Sequence, residues 1–186
     1  ITDYKKSTKI IVSNIAGING QNVQLQATLT NQDGTPLNSK TIVFTVNETP
    51  VGSATTGTNG IATLNYPITL TPGTYTINAT FNGDGNYNTT NNTGTLTIYK
   101  NNTNIIVSNI VGVNGQPIDL QATLTNQDGT PLAGKTVTFA VNGLILPTTA
   151  TTNANGIATL SYTITQTPGT YTINATFNGD GNFNST

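Results

Sequence analysis

The chain has 186 residues and a net charge of −1, with only 7% of residues charged and 34% hydrophobic, while 40 Thr and 27 Asn make up more than a third of it. A surface this polar and this neutral carries no basic patch, so nucleic acid and anionic lipid are not expected as partners. The absence of Cys, His, Trp and Met removes disulfides, thiolate chemistry, zinc or haem ligation and the commonest general base, so neither cofactor nor catalysis is expected.

Ile1 to Lys5 open the chain, and Ile10 to Ile15 is predicted as the first strand. Asn22 to Thr30 alternates strictly, placing Val23, Leu25, Ala27 and Leu29 on one face of a half-buried strand. The same period runs through Ile42, Phe44 and Val46, then Ala62, Leu64 and Tyr66, then Tyr75, Ile77, Ala79 and Phe81, and last Leu96 and Ile98. Asn19-Gly20, Asp33-Gly34-Thr35-Pro36, Asn59-Gly60, Pro72-Gly73 and Asn82-Gly83 supply turn chemistry between the runs, with Asp33 and Asp128 read as Asx-type turn residues. No segment shows a helical period, and no apolar stretch approaches the roughly 20 residues that span a bilayer.

Everything then repeats. Thr71 to Asn86 recurs unchanged as Thr167 to Asn182, and Gln26 to Leu37 as Gln121 to Leu132, at offsets of 96 and 95 residues. One residue is inserted between the runs, in the region where the copies differ most, Glu48 to Thr58 against Gly143 to Ala154, read as a variable loop or edge strand. About seven short alternating strands per repeat predict two tandem Ig-like antiparallel β-sandwiches with Greek-key topology. Gly73 to Ile77 looks like the tyrosine-corner start of an immunoglobulin strand, with Ile77 where antibody domains carry Cys and Phe44 in place of their core Trp. Phe139 takes that place in the second copy.

The ordered set Gln-Asp-Gly-Thr-Pro-Leu, Gly-Lys-Thr-Val-Thr-Phe, Asn-Gly-Ile-Ala-Thr-Leu, Pro-Gly-Thr-Tyr-Thr and Phe-Asn-Gly-Asp-Gly-Asn resembles the Ig-like repeats of large prokaryotic surface proteins. It is most similar to the adhesin-like proteins of methanogenic archaea and related bacterial Ig-like repeats. That resemblance implies a non-catalytic stalk or fibre at the cell surface, outside the cell. Its partners would be copies of itself or adjacent Ig-like repeats, and a cell-surface glycan or protein ligand.

The phase of the repeat divides the chain into 1–6, matching the closing strand of a repeat, 7–100 as the first repeat and 101–186 as the second. The 95-residue offset aligns Ile1, Thr2, Asp3, Tyr4 and Lys5 with Leu96 to Lys100, whereas nothing after Thr186 corresponds to Leu96 to Tyr99. The second repeat is thus expected to lack its own last strand, and the first five residues to serve as an assembly strand that completes a neighbour by β-strand addition. The competing reading is covalent continuation of one long array.

Side-chain chemistry offers fewer leads. Asn-x-Ser/Thr sequons at Asn47, Asn78, Asn88, Asn91, Asn101, Asn174 and Asn184 are glycosylation candidates, although a chain rich in Asn and Thr makes such triplets freely. Asn82, Asp84 and Asn86, with Asn178, Asp180 and Asn182, alternate oxygen side chains as calcium loops do, but one carboxylate per loop favours a Gly-rich turn. Lys40 and Lys135 occupy equivalent positions and raise the possibility of a Lys–Asn isopeptide bond. Such a bond needs a neighbouring acid, and Glu48 belongs only to the first copy and Asp119 only to the second, so both lysines read as solvated. Tyr66, Tyr87, Tyr99, Tyr162 and Phe183 suit either a sugar-stacking surface or the core.

Overall fold

In a computed structural model that describes residues 4–186, every regular element is a strand, and no helix is long and apolar enough to cross a membrane. The chain divides into two compact units, with the boundary between Tyr99 and Lys100.

The first unit holds β1 (Thr8–Val12), β2 (Ile15–Ile18), β3 (Asn22–Asn31), β4 (Thr41–Val46), β5 (Thr49–Thr55), β6 (Ile61–Pro67), β7 (Gly73–Phe81) and β8 (Thr90–Tyr99). One sheet runs β1-β3-β6 and the other β2-β8-β7-β4-β5. Alternation sends Leu25, Ala27 and Leu29 of β3 inward against Phe44 of β4 and Ile77 and Ala79 of β7, all of them buried in one core. At roughly 25 cal/mol per Å² of apolar surface removed from water, this packing drives the fold without covalent staples.

The expected single strand over Ile10 to Ile15 is two strands. β1 pairs antiparallel with β3, and β2 crosses to the other sheet and pairs parallel with β8, Ile15 opposite Leu96 and Ile18 opposite Tyr99. Ser13 and Asn14 make the crossing: the Ser13 amide donates to Gln26 O at 3.0 Å, and Asn14 Oδ1 accepts the Thr95 amide at 2.8 Å. A side chain at Gly94 would have its Cβ 2.9 Å from Ser13 O, so glycine is what lets β8 pass the crossover.

The variable region is the edge strand β5, reached through a two-residue turn in which Asn47 and Glu48 both have positive φ. Gly143 replaces the glutamate in the second copy and adopts the same region without a Cβ penalty. The side-chain acceptors in the Asn-Gln-Asp-Gly-Thr turns are Asn31 and Asn126, which receive the amides of Thr35 and Thr130 at 2.8 Å, not Asp33 and Asp128.

Each copy buries one threonine, Thr56 or Thr152. Thr56 Oγ1 donates to Leu37 O at 2.6 Å and accepts the Lys40 amide at 2.9 Å, so both ends of the loop before β4 are tied inside the sandwich. Thr152 does the same for Leu132 and Lys135.

The second unit repeats the plan with β9 (Thr103–Val107), β10 (Pro117–Asn126), β11 (Thr136–Val141), β12 (Leu144–Thr151), β13 (Ile157–Thr163) and β14 (Ile173–Thr176). Its sheets run β13-β10-β9 and β12-β11-β14. Among the described residues no strand takes the place of β8, and β14 has four residues where β7 has nine, although Thr167 to Asn182 is identical to Thr71 to Asn86.

Candidate functional site

Two features recur or differ between the units in ways that bear on function. The first is a latch at the entrance of each. In the first unit the loop between β7 and β8 folds back on itself because Asp84 Oδ1 accepts the amides of Asn86 and Tyr87 at 2.8 and 2.9 Å. Its other oxygen holds Lys40 Nζ at 2.6 Å, and that ammonium stands 5.0 Å from the Tyr87 ring centre. The loop then grips the incoming chain: the Lys6 amide donates to Asn86 O, and the Asn88 amide donates to Lys6 O. In the second unit Asp180, Lys135 and Phe183 reproduce the ion pair at 2.5 Å and the ring contact at 4.7 Å, with Asn101 in the place of Lys6.

Lys40 and Lys135 are therefore paired, not solvated. They sit 44 and 45 residues from their partners, a separation that local pattern cannot bridge. The latch also bears on the other readings of these residues. Asp84 spends both oxygens on donors of its own chain, and no group of three or more His, Cys, Asp or Glu gathers among the described residues. The lysine faces a carboxylate instead of the asparagine that a Lys–Asn bond would join.

The hydrogen bond from Lys40, helped by the backbone amides, holds the Asp84 carboxyl below its ordinary range. Burial pushes Asp180 up, but Lys135 and the amides of Asn182 and Phe183 outweigh it, and the net shift is again downward. A carboxylate with a lowered folded-state pKa stabilises the fold above its unfolded value and loses that contribution as pH falls through the folded one. The melting temperature of the chain is thus expected to fall on acidification below about pH 4, and that fall to flatten in the Asp84→Asn/Asp180→Asn double variant. Scanning calorimetry from pH 6 to pH 2 checks this, and parallel curves for the two proteins would remove the ion pairs as its source.

The aromatic candidates separate by role. Tyr66 is core, Tyr87 and Phe183 lie under the lysines, Tyr162 receives Gln166 Nε2 on its hydroxyl, and Tyr99 is exposed. They do not form one stacking surface. Tyr75 and Tyr171 make the corner bond, each hydroxyl donating 2.9 Å back to the carbonyl of Thr71 or Thr167. Among the sequons, Asn47, Asn88, Asn91, Asn174 and Asn184 are exposed, whereas Asn78 and Asn101 are half-buried. Asn78 and Asn174 are equivalent residues, and Asn78 is the one flanked by strands on both sides.

The second feature is an apolar groove of about 960 Å³ in the second unit, bounded by Val107 to Asn114 on one side and Gly169 to Ile173 on the other. Leu120, Val141 and Ile164 form part of its lining. In the first unit the corresponding space is filled by Leu96 and Ile98 of β8, 0% and 2% exposed. Of the segment expected to donate such a strand, Ile1, Thr2 and Asp3 lie outside the described residues, while Tyr4 is 86% exposed and the Lys5 carbonyl accepts Asn88 Nδ2.

The family comparison follows the same duplication, matching the bacterial Ig-like domain (group 3) over residues 11–99 and again over residues 105–186. Inverse autotransporter adhesin YeeJ of Escherichia coli (strain K12) is 33% identical over 174 residues, covering 84% of this chain and 7% of the relative, so the chain spans a small fraction of that protein. Among solved structures, invasin, a bacterial integrin-binding protein, is similar in fold with a TM-score of 0.57 at 19% identity, over 94% of this chain and 37% of that chain. Adhesin InvE of Yersinia pseudotuberculosis has a TM-score of 0.43 at 16% identity, over 96% of this chain and 56% of that one. With both units matched almost throughout, the chain belongs to the bacterial Ig-like domain family of group 3 and carries that domain twice.

Proposed function

We propose that this chain is a non-catalytic, extracellular structural repeat of a cell-surface fibre or adhesin stalk, whose modules join in series by addition of a strand to the open groove of the second module. The observation that carries this reading is the groove itself. It exposes apolar side chains and unpaired backbone along the edge of β14, and in the first module the same sequence surrounds a strand. Kinship to an adhesin repeat supports the surface location, and the latch supports a load-bearing role by fixing the chain where it enters each module.

The donor in this reading is Ile1 to Lys5 of the next copy, of which Tyr4 is exposed and Lys5 touches its own module through its carbonyl, which accepts Asn88 Nδ2. A head-to-tail contact of this kind does not close on itself and builds a filament. Glycans on the exposed sequons would coat the neutral surface. Deleting Ile1 to Lys5 is expected to abolish polymerisation, followed by sedimentation and electron microscopy, while the first module stays folded. Filaments that survive the deletion would overturn donation by this segment.

A second reading, a glycan- or protein-binding adhesin module within one covalent array, is favoured by the hairpin from β11 to β12. There Leu144 and Ile145 are 71% and 69% exposed, at a place where the first module has Thr49 and Pro50. Intact mass under denaturing conditions separates the two: subunits near 19.3 kDa plus any glycans indicate strand exchange, and a giant chain indicates covalent continuity.

A further inference from the structure

In the second module the latch is part of a continuous route of bonds from the core to the linker. Thr152, buried in the sandwich, accepts the Lys135 amide on Oγ1 at 2.8 Å and donates to Leu132 O at 2.6 Å, so the segment that carries Lys135 is anchored inside. Lys135 Nζ holds Asp180 Oδ2, and Asp180 Oδ1 accepts the amides of Asn182 and Phe183 at 2.9 Å. The next bonds reach the linker. The Asn101 amide donates to Asn182 O at 2.8 Å, the Asn184 amide to Asn101 O at 2.9 Å, and Thr103 Oγ1 to Asn184 O at 2.9 Å. We infer that this route is a releasable strap, in which the Lys135–Asp180 ion pair locks the linker ahead of the second module onto the loop after β14. Breaking the pair frees Lys100 and Asn101 while the sandwich stays folded.

The first module shows that the strap belongs to the fold and not to one stretch of linker. Its loop between β7 and β8 makes the same two backbone bonds to Lys6, and Thr8 Oγ1 donates to Asn88 O at 3.1 Å, although lysine stands where the second module has asparagine. The grip is made by backbone, as parallel bridges of Lys6 with Tyr87 and of Asn101 with Phe183, so it does not read the linker's side chains. The loop is wound in advance to provide it. Gly83 and Gly179 have φ of +76° and +78°, and a Cβ would lie 2.8 Å from Tyr87 O at the first and 2.9 Å from Phe183 O at the second. The lysine then fixes the wound loop to the anchored segment 44 or 45 residues earlier in the chain.

The strap decides how much free chain lies between the modules. β8 ends at Tyr99 and Asn101 is already bound, so Lys100 alone separates them, and its Nζ donates to Asp180 O at 2.7 Å. Asn102 is held separately, its carbonyl accepting the Gln127 amide. With the strap closed the linker has no slack, and with it open Lys100 and Asn101 span up to about 7 Å. Tension on the chain meets the strap before the strands, because two backbone bonds hold Asn101 whereas β10 holds β9 over five residue pairs. A partly buried, charge-assisted bond resists such local opening more than a neutral one, so the ion pair sets the point at which the strap yields. It works in the same way in separate chains and in a covalent array.

The test uses the intact chain and reads amide exchange residue by residue by NMR. Lys135→Met removes the ammonium and leaves every bond within the loop in place, whereas Asp180→Asn removes the charge and keeps an oxygen for the two amides. Either substitution is expected to speed exchange at Asn101 and Asn184 about fivefold or more, with Lys135→Arg closer to the unmodified chain. The Leu124 amide, bonded to Gly156 O in the sandwich, and the Lys6 and Asn88 amides of the first module should keep their rates. A lysine-specific protease should cut after Lys100 faster in the same order of variants. Unchanged exchange at Asn101 and Asn184 would overturn the inference. So would equal acceleration at Leu124, since the ion pair would then hold the whole module and not a strap.

Discussion

Phe44→Ala is expected to remove about 3–5 kcal/mol from the first module, a large part of the ~5–15 kcal/mol that holds a domain of this size. Phe44 is completely buried on β4, which lies between β7 and β5 in the five-stranded sheet. Its ring reaches the core where an antibody domain keeps its tryptophan, and no disulfide offsets the loss. The two modules have separate buried clusters, so the effect should be confined to one. The first module joins residues from both sheets, β8 included, in a single cluster, whereas the buried residues of the second divide into two smaller ones. Calorimetry of the unmodified chain should accordingly show the second module melting first. In the variant the upper transition should drop by about 4–8 °C for each kcal/mol lost, while the lower one stays in place. An unchanged upper transition would mean that Phe44 is not the anchor of that core.

Gly60→Ala is expected to cost about 3 kcal/mol or more, against about 1 kcal/mol for Gly34→Ala. Both glycines adopt positive φ, +74° and +86°, and each pays the left-handed penalty on gaining a Cβ. They differ in surroundings. Nothing lies within 4 Å of a Cβ at Gly34, but one at Gly60 would sit 2.6 Å from Leu29 O and 3.0 Å from Pro36 Cβ. Those atoms belong to β3 and to the turn that follows it, and the Gly60 carbonyl already accepts the Leu29 amide at 2.8 Å. The clash therefore pries the hairpin of β6 off its neighbour strand. Gly156 repeats the arrangement against Leu124 O, so the same substitution there should be at least as damaging. Denaturant titration of the two variants compares them directly, and equal losses would leave backbone strain as the whole effect.

Alternation identified the half-buried strands because one face of each sheet meets water and the other the core. Asn22 to Thr30 reads as a strand and is β3, and the Tyr75 to Phe81 alternation is β7. The tyrosine corner was legible for the same local reason, since its bond spans only four residues. The break at Ser13 and Asn14 was not. Apolar residues resume at Ile15 just beyond it, as they would in one continuous strand, and the change of sheet is tied to a glycine on a strand about 80 residues away. The latch is half legible: Lys40 and Asp84 both stand out, but each alone suggests a separate chemistry, because their pairing exists only once β7 has brought the loop across.

Thr71 to Asn86 and its copy mark the division most sharply, being one sequence with nine residues of strand in one module and four in the other. Period-two patterning determined which side chains face inward, and hence the sandwich, while the recurrence of Thr71 to Asn86 as Thr167 to Asn182 revealed its duplication. Whether a given stretch becomes strand, and whether Ile77 or Ile173 is sealed from water, was decided by the neighbour beside it. A strand's hydrogen bonds and half of its burial belong to its partner, and a sequence carries its own residues but not the company they keep.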